Sequence, residues 1–511
     1  MLFNSYIFIF LFLPLCLAGF YLLEKHKKAV PARLWLTGFS LWFYGYFNLT
    51  YLLIMICSIL ANYAFFVGIK RLERCGRRWS RLVMALGVAG NLAVLFYFKY
   101  YDFFIETLNR IFRADFVVRG ILLPLGISFF TFQQIGFLVD AYQGELDACP
   151  FVDYMLFVSF FPQLIAGPIV SQDEMLPQFA AIGNRKVDWQ KLRSGTVLFV
   201  LGMAKKVLVA DTFGQAVDWA YANTASLSSV DAALTILFYT LQLYYDFSGY
   251  CNMARGLGWM LGIDIPKNFD SPYKSADIIE FWRRWHITLG RFFRKYVYIP
   301  LGGNRRGRTR MYLNMFLVFF LSGIWHGAGW TFLIWGLAQG VLYLITRALQ
   351  LWKKDRAQAQ IHRRPPDEDA PRPVWKTRIS KVTGTAFTFL FYNLICVFFR
   401  AENLPQALTV FDRLANGGIT LPAEPITAAF NLDELWYAIK LLRLDALPYS
   451  ACYLMVIITA ATLTATFAAP NADQMTERFK GKTWNAILTA ILAAWCVLSL
   501  GGVERFLYFN F

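Results

Sequence analysis

Long apolar runs recur along this chain and constrain its fold more than any other feature. A helix needs about 20 mostly apolar residues to cross the hydrocarbon core of a bilayer. Roughly a dozen segments approach that length, so the sequence predicts an all-α polytopic membrane protein with about 11–13 membrane helices, some of them re-entrant or interfacial. The predicted spans are residues 1–23, 34–48 continued by 49–69, 82–101, 119–139, 151–169, 194–211, 229–247, 311–328, 330–347, 382–400, 448–469 and 485–502.

The composition agrees with a membrane protein. Of 511 residues, 57% are hydrophobic and 16% are charged, whereas soluble domains carry about 25% charged residues. A soluble multidomain enzyme, a disordered chain and a small disulfide scaffold are therefore excluded. Because the eight cysteines form no CxxC pair and there are only four histidines, we expect neither a disulfide framework nor a metal site.

The basic loops set the predicted orientation. Lysine and arginine are enriched in cytoplasmic loops and near lipid headgroups, which accounts for the net charge of +17 without nucleic acid. Placing the basic clusters inside puts the N-terminus outside. These clusters are KHKK (25–28), KRLERCGRR (70–78), NRRGRTR (304–310) and the polar segment 352–381.

The chain shows a single clear linker. We treat residues 1–511 as one integral membrane domain, with 352–381 as a cytoplasmic polar loop. Residues 401–447 are predicted to form an outer-face loop or a pair of interfacial helices. No basic residue precedes the apolar residues 1–23, and they lack a small-x-small cleavage site, so we interpret them as an uncleaved membrane helix.

Glycine and proline interrupt two of the predicted spans, at LLPLGISFF (122–130) and FFPQLIAGPIV (160–170). Broken helices at membrane depth are tolerated only where protein or a water-filled cavity satisfies the backbone. The interruptions therefore indicate a compact bundle with an internal cavity.

Residues 266–340 carry the densest mixture of polar and aromatic side chains. The stretch 266–308 is too polar to span and too aromatic to be a solvated loop, so we predict an amphipathic interfacial or re-entrant segment. Arg283, Arg284 and Lys295 are candidates to hold an anionic group such as a cofactor phosphate. The alternative is a membrane-surface helix whose basic side chains reach the headgroups.

His326 lies in an apolar span between Trp325 and Gly327. Ionisable side chains inside a membrane are costly and are functional candidates by default. Imidazole is also suited to accept a proton near neutral pH. The alternative is a histidine that joins two helices by hydrogen bonds. His26 and His362 lie in basic loops and are expected to be solvated.

Several tracts together resemble the membrane-bound O-acyltransferase family, in particular its bacterial branch that O-acetylates alginate and peptidoglycan. The tracts are FWRRWHITL, YIPLGGNRRG, SGIWHGAGWTFLIWG, LPLGISFFTFQQIGFLVDAYQG, FFPQLIAGPI, YYDFSGYCNMARGLGWMLGI, NFDSPY and FFRAENLPQAL. The resemblance implies eleven or more helices around a central tunnel. It places the family's invariant histidine on His326 and its second functional polar position on His286.

The same resemblance makes four further residues candidates for lining the substrate tunnel: Trp325, Trp285, Asp246 and Asn268. Asp246, Asn268 and Asp270 lie in matching motifs, but helix capping and intramembrane hydrogen bonding explain them equally well.

The function expected from this resemblance is acetyl transfer across the bacterial inner membrane to an exported or cell-wall polysaccharide. The expected donor is a cytoplasmic thioester, acetyl-CoA, and a separate extracytoplasmic serine-hydrolase-like protein is expected to receive the acetyl group. His326 would act as general base or carry the acetyl group itself, and His286 would orient the donor or stabilise negative charge. Two non-catalytic alternatives stay open, a transporter or flippase and a structural subunit of a polysaccharide export complex.

Overall fold

The computed structural model describes residues 1–361, 374–432, 436–443, 447–479, 483–501 and 507. These residues form helices and connecting segments and no strand, so the predicted all-α class is confirmed. The first eleven helices are α1 Leu13–Lys25, α2 Ala29–Gly45, α3 Leu49–Glu73, α4 Arg77–Leu95, α5 Tyr101–Phe112, α6 Ile127–Gln143, α7 Phe151–Ser159, α8 Gln172–Ala180, α9 Trp189–Ala204, α10 Asp211–Ala222 and α11 Ser229–Met260.

The remaining α-helices of the described residues follow in chain order. They are α12 Ile278–Arg284, α13 Ile287–Phe293, α14 Arg308–His326, α15 Trp330–Ile361, α16 Val374–Arg400, α17 Leu404–Asn416, α18 Glu424–Ala428, α19 Trp436–Leu441, α20 Ser450–Phe467, α21 Ala472–Arg478 and α22 Thr483–Leu498.

Within the described part of the chain, six helical segments are long and apolar enough to cross a membrane. They are Phe8–Lys25, Leu49–Glu73, Arg77–Phe112, Trp330–Gln358, Arg378–Arg400 and Ser450–Phe467. Each coincides with a predicted span. The other predicted spans fall on helices that are shorter, more polar or interrupted.

Both predicted interruptions are present. The span expected at 119–139 is helical only from Ile127, after Gly126, whose φ of +73° favours glycine. The span expected at 151–169 ends its helix at Ser159, just before Pro162. The positive-φ glycine therefore precedes the start of α6, and the proline follows the end of α7, at the two interruptions that the sequence indicated.

Both ends of the polar segment 352–381 are helical, although the sequence predicted a loop. Helix α15 continues to Ile361, and α16 already begins at Val374. His362 and the rest of 362–373 lie outside the described residues. Exposed positions on a helix accept charged side chains as readily as a loop does, so composition alone does not separate the two. In 401–447, helices α17, α18 and α19 occur.

The chain divides into two compact units. Unit 1 comprises Met1–Leu208, Tyr245–Lys267 and Ala472–Phe511, and unit 2 comprises Val209–Tyr244 and Asn268–Asn471. Helix α11 contributes its first half to unit 2 and its second half to unit 1.

Glycines bring α9 close to the second half of α11 in unit 1. A Cβ atom added to Gly195 would lie 2.6 Å from the carbonyl oxygen of Gly256, and one added to Gly202 would lie 2.6 Å from that of Gly249. Small residues allow membrane helices to approach this closely.

In unit 2, α14 and α15 form an antiparallel pair with the same kind of contact. A Cβ atom on Gly336 would lie 2.7 Å from the Phe319 carbonyl oxygen and 2.8 Å from the Gly323 Cα atom. His326 follows Gly323 by one turn, so this glycine contact fixes the helix end that carries the histidine.

Substituting Gly336 by alanine should therefore destabilise the protein. The added methyl group overpacks the α14–α15 contact, and overpacking costs about 1–3 kcal/mol. Thermal unfolding in detergent measures the effect. Gly38→Ala on α2 is the matched control, because a Cβ atom at Gly38 has nothing within 4 Å and alanine favours the helix. Equal melting temperatures for the two variants would contradict the predicted clash.

Candidate active site

His326 ends α14 and is enclosed by aromatic rings from three consecutive helices. Its side chain is buried, with 2% of its surface exposed. The imidazole centroid lies 4.9 Å from the ring of Trp325, 5.0 Å from Trp335 on α15 and 5.1 Å from Phe399 on α16. These apolar walls exclude water around the ring, which strengthens any electrostatic interaction that it makes.

His286 occupies the break between two short helices, α12 and α13. Each has seven residues, which at 1.5 Å per residue is about 10 Å and too short to cross a core of about 30 Å. The centroids of His286 and His326 are 6.5 Å apart, and the ring of Trp325 lies 5.9 Å from His286. The structure thus brings together the two histidines identified from the sequence.

The backbone of His286 adopts a left-handed conformation, with a φ of +45°. Such conformations are uncommon outside glycine, and strained residues cluster at functional sites. Backbone hydrogen bonds of the two flanking residues hold His286 in this conformation. Trp285 N–H donates to the Phe281 carbonyl at 2.9 Å, and Ile287 N–H donates to the Asn268 carbonyl at 3.0 Å.

Asn268 fixes the tautomer of His286. Its Oδ1 atom accepts hydrogen bonds from the Thr288 backbone N–H at 3.1 Å and the Thr288 hydroxyl at 2.9 Å. Because the Thr288 N–H can only donate, this atom of Asn268 must be the acceptor oxygen. His286 Nδ1, 3.2 Å from the same oxygen, therefore carries its proton, which leaves Nε2 with a lone pair in the neutral ring.

Burial lowers the pKa of His286 to about 3 because desolvation disfavours the imidazolium. His286 belongs to none of the six long apolar helices. The ring is therefore neutral at physiological pH and presents Nε2 as a hydrogen-bond acceptor.

Replacing Asn268 with leucine should lower activity about 10- to 100-fold, the cost typical of removing a hydrogen bond that orients a metal-bound histidine, because the ring orientation and tautomer of His286 are then no longer held. We expect the loss in kcat, measured with membranes that contain equal amounts of each variant. Asn393→Leu is the control, since Asn393 is also buried in unit 2 and, among the residues described, its amide donates to the Phe389 carbonyl alone, at 2.7 Å. If both variants lose activity alike, Asn268 is only a packing residue.

Comparison with known proteins gives the family. The profile of the membrane-bound O-acyltransferase (MBOAT) family matches residues 122–355. A peptidoglycan O-acetyltransferase of Helicobacter pylori (strain ATCC 700392 / 26695) is 38% identical over 551 residues, which cover 100% of this chain and 98% of that protein. The chain belongs to the membrane-bound O-acyltransferase family.

Two further relatives are consistent with membership of the membrane-bound O-acyltransferase family. A probable alginate O-acetylase AlgI of Pseudomonas putida is 36% identical over 527 residues, which cover both chains completely. A teichoic acid D-alanyltransferase of Streptococcus thermophilus is 26% identical over 290 residues, or 53% of this chain and 66% of that protein. The resemblance inferred from the motifs is confirmed, and the chain is a multi-pass membrane acyltransferase.

The basic residues predicted to bind a donor phosphate have different surroundings in this MBOAT protein. Arg284 pairs with Glu280 at 2.7 Å, so its charge is partly neutralised. Arg283 is exposed, and Lys295 is half-buried with its ammonium 5.3 Å from the centroid of the Tyr296 ring. Their role in phosphate binding stays a prediction.

The other predicted tunnel residues also have defined contacts. Trp285 is buried against the rings of Phe269, at 5.0 Å, and Tyr392, at 5.3 Å. Asp246 belongs to unit 1, where it pairs with Lys206 at 2.7 Å. An ion pair gives Asp246 a structural explanation that the motif alone did not supply.

Sequence reasoning missed Thr288, Trp335, Phe399 and Gln339. Gln339 lies one turn after Trp335 on α15 and is fully buried. Among the residues described, neither atom of its amide group has a hydrogen-bond partner. A buried amide without partners is costly, and its position in an apolar span was the signal that could have identified it.

Proposed function

We propose that this O-acetyltransferase passes an acetyl group from cytoplasmic acetyl-CoA across the inner membrane for O-acetylation of an exported or cell-wall polysaccharide. The pair of buried histidines with centroids 6.5 Å apart is the observation that carries the proposal. The names of the relatives that span the chain, a peptidoglycan O-acetyltransferase and a probable alginate O-acetylase, support acetyl as the transferred group.

In the proposed reaction, His326 accepts the proton of an acceptor hydroxyl as its oxygen attacks the thioester carbonyl. The ester C–O bond forms between the carbonyl carbon and the acceptor oxygen, and the C–S bond of the thioester breaks. The leaving thiolate takes the proton from the imidazolium of His326. A second route gives the same products: His326 attacks the thioester itself and holds the acetyl group until the hydroxyl accepts it.

His286 has a positioning role in either route. Its Nδ1–H is engaged by Asn268, so its neutral ring offers only an acceptor at Nε2. An acceptor atom orients a donor such as a hydroxyl or an amide N–H, and it does not stabilise an oxyanion. We also assign Gln339, whose buried amide lies one turn after Trp335 on α15, to donate to and accept from amide groups along the arm of the thioester.

The proposed donor enters from the cytoplasmic side, with Arg283, Arg284 and Lys295 near its phosphates. The N-terminus then lies on the extracytoplasmic side of the inner membrane, as the positive-inside rule indicates. The proposed acceptor of the acetyl group is a separate extracytoplasmic serine-hydrolase-like protein, which passes the group to the polysaccharide.

Purified protein in lipid vesicles tests this reaction directly. With acetyl-labelled acetyl-CoA on one side and alginate or peptidoglycan fragments with a serine-hydrolase-like acetyltransferase on the other, we expect label to reach the fragments. Fragments that stay unlabelled, with both proteins folded and present, would contradict the proposed donor. Passage of fragments across vesicles with no acetyl transfer would favour the transporter alternative.

A further inference from the structure

Unit 1 contains a cavity of about 350 Å³ that takes no part in the proposed reaction. It is bounded by the last turns of α1 and α11 and by the segment that leads into α9. The lining side chains include three cations, two carboxylates and a group of apolar rings. Its volume falls in the range of small-ligand sites, which begins at about 300 Å³.

Three basic residues, Arg185, Lys186 and Lys191, form the cationic part of the lining. Arg185 is held in place because its Nη1 donates to the Gly262 carbonyl at 2.7 Å and its Nη2 donates to the Gln178 carbonyl. Lys191 pairs with Asp264 at 2.7 Å, and Lys186 is exposed. Phosphate oxygens are the natural ligands of such a group.

Glu24 supplies the opposite charge. Only 6% of its surface is exposed, and its Oε1 accepts the Gly183 N–H at 2.9 Å. Its Oε2 has no hydrogen-bond partner in the described part of the chain. The second carboxylate, that of Asp188, accepts the Lys191 backbone N–H at the start of α9. Of the two carboxylates, Glu24 is therefore the one with a buried oxygen available to a ligand. Burying a carboxylate oxygen without a hydrogen-bond donor costs free energy, so a donor from a ligand would be favourable there.

The cavity lies at the end of an apolar span, the level at which lipid headgroups meet the protein. Glu24 is in the last turn of the segment Phe8–Lys25. Trp189, beside the cavity, is 72% exposed, and tryptophan concentrates at membrane interfaces. Phe20, Tyr21 and Trp259 provide the apolar part of the lining, and aromatic faces also attract ammonium groups.

We propose that this cavity binds the headgroup of phosphatidylethanolamine. The phosphodiester contacts Arg185, Lys186 and Lys191, and the ammonium donates a hydrogen bond to Glu24 Oε2. A choline headgroup has no N–H to donate to this oxygen, and an anionic glycerol headgroup brings no positive charge to Glu24. The combination of cations with one buried acceptor therefore selects a zwitterionic amine lipid.

Native mass spectrometry of the full-length protein tests the proposal. Detergent-purified protein is mixed with equal amounts of dioleoyl phosphatidylethanolamine, phosphatidylglycerol and phosphatidylcholine, and bound lipids are counted. We expect about a tenfold preference for phosphatidylethanolamine, since hydrogen bonds between an ammonium and a carboxylate are among the stronger ones in proteins. Glu24→Gln should reduce that preference to near parity with phosphatidylcholine, and Lys186→Gln should weaken retention of all three lipids.

Glu73→Gln is the matched control, because Glu73 also ends a membrane helix but its side chain is 50% exposed and pairs with Lys70. Lys186 is exposed, so its substitution tests the site without disturbing the fold. The proposal would be overturned if the wild-type protein retained the three lipids equally or preferred phosphatidylglycerol. It would also be overturned if Glu24→Gln kept the wild-type preference for phosphatidylethanolamine. Binding of free phosphoethanolamine as tight as that of the lipid would assign the cavity to a soluble ligand instead.

Discussion

The His326→Ala variant is expected to lose O-acetylation while its abundance in the membrane stays at the wild-type level. Proton transfer by a positioned side chain contributes about 10²–10⁴-fold to a rate, and a histidine that carries the acetyl group would contribute more. Polymer-bound acetate in a deletion strain complemented with each variant measures the loss. A blot of the membrane fraction measures abundance.

The exposed His26 provides a control for this experiment, because it follows α1 in the basic turn and its substitution by alanine should leave acetylation intact. Restoration of acetylation by both wild type and His326→Ala would make His326 a packing residue. Restoration by neither, with both proteins present, would show that the acceptor has been misidentified.

Breaking the ion pair between Lys206 and Asp246 should destabilise the protein more than Gly336→Ala does. The side chains are each 2% exposed and their charged atoms are 2.7 Å apart. Asp246→Leu removes the carboxylate that pairs with a buried ammonium, and breaking a buried pair in this way costs about 3–5 kcal/mol. The double variant Asp246→Leu/Lys206→Met removes both charges and should recover most of that loss. Thermal unfolding in detergent measures the difference.

A surface pair shows what the burial of these charges contributes. Arg308 and Asp355 are joined at 2.8 Å, but their side chains are 62% and 44% exposed. Asp355→Leu should therefore change the free energy of unfolding by less than about 1 kcal/mol. If the double variant at positions 206 and 246 is as unstable as Asp246→Leu alone, the ion pair does not explain the instability.

The elements that the sequence predicts well are those set by local composition. Six apolar spans follow from the length of each run, and the interruptions near Gly126 and Pro162 follow from backbone restrictions of single residues. His326 was identifiable because an imidazole in an apolar span is unusual wherever the neighbouring helices lie.

Contacts between distant residues lay beyond sequence reasoning. Asp246 could be named from its motif, but its pairing with Lys206 depends on how α11 packs against the segment after α9. Likewise, nothing local indicates that Asn268 holds Nδ1 of His286 through the loop before α12. Gln339 shows the same limit, because its burial depends on the face of α15 that the fold turns inward.

The left-handed backbone at His286 determines which substitutions can report on its imidazole. At a φ of +45°, most side chains add about 1–2 kcal/mol of steric cost, whereas asparagine visits this region more readily. An alanine at this position therefore removes the ring and strains the turn between α12 and α13 together. Asparagine removes the imidazole with less disturbance of the main chain, which makes it the informative replacement for separating chemistry from conformation.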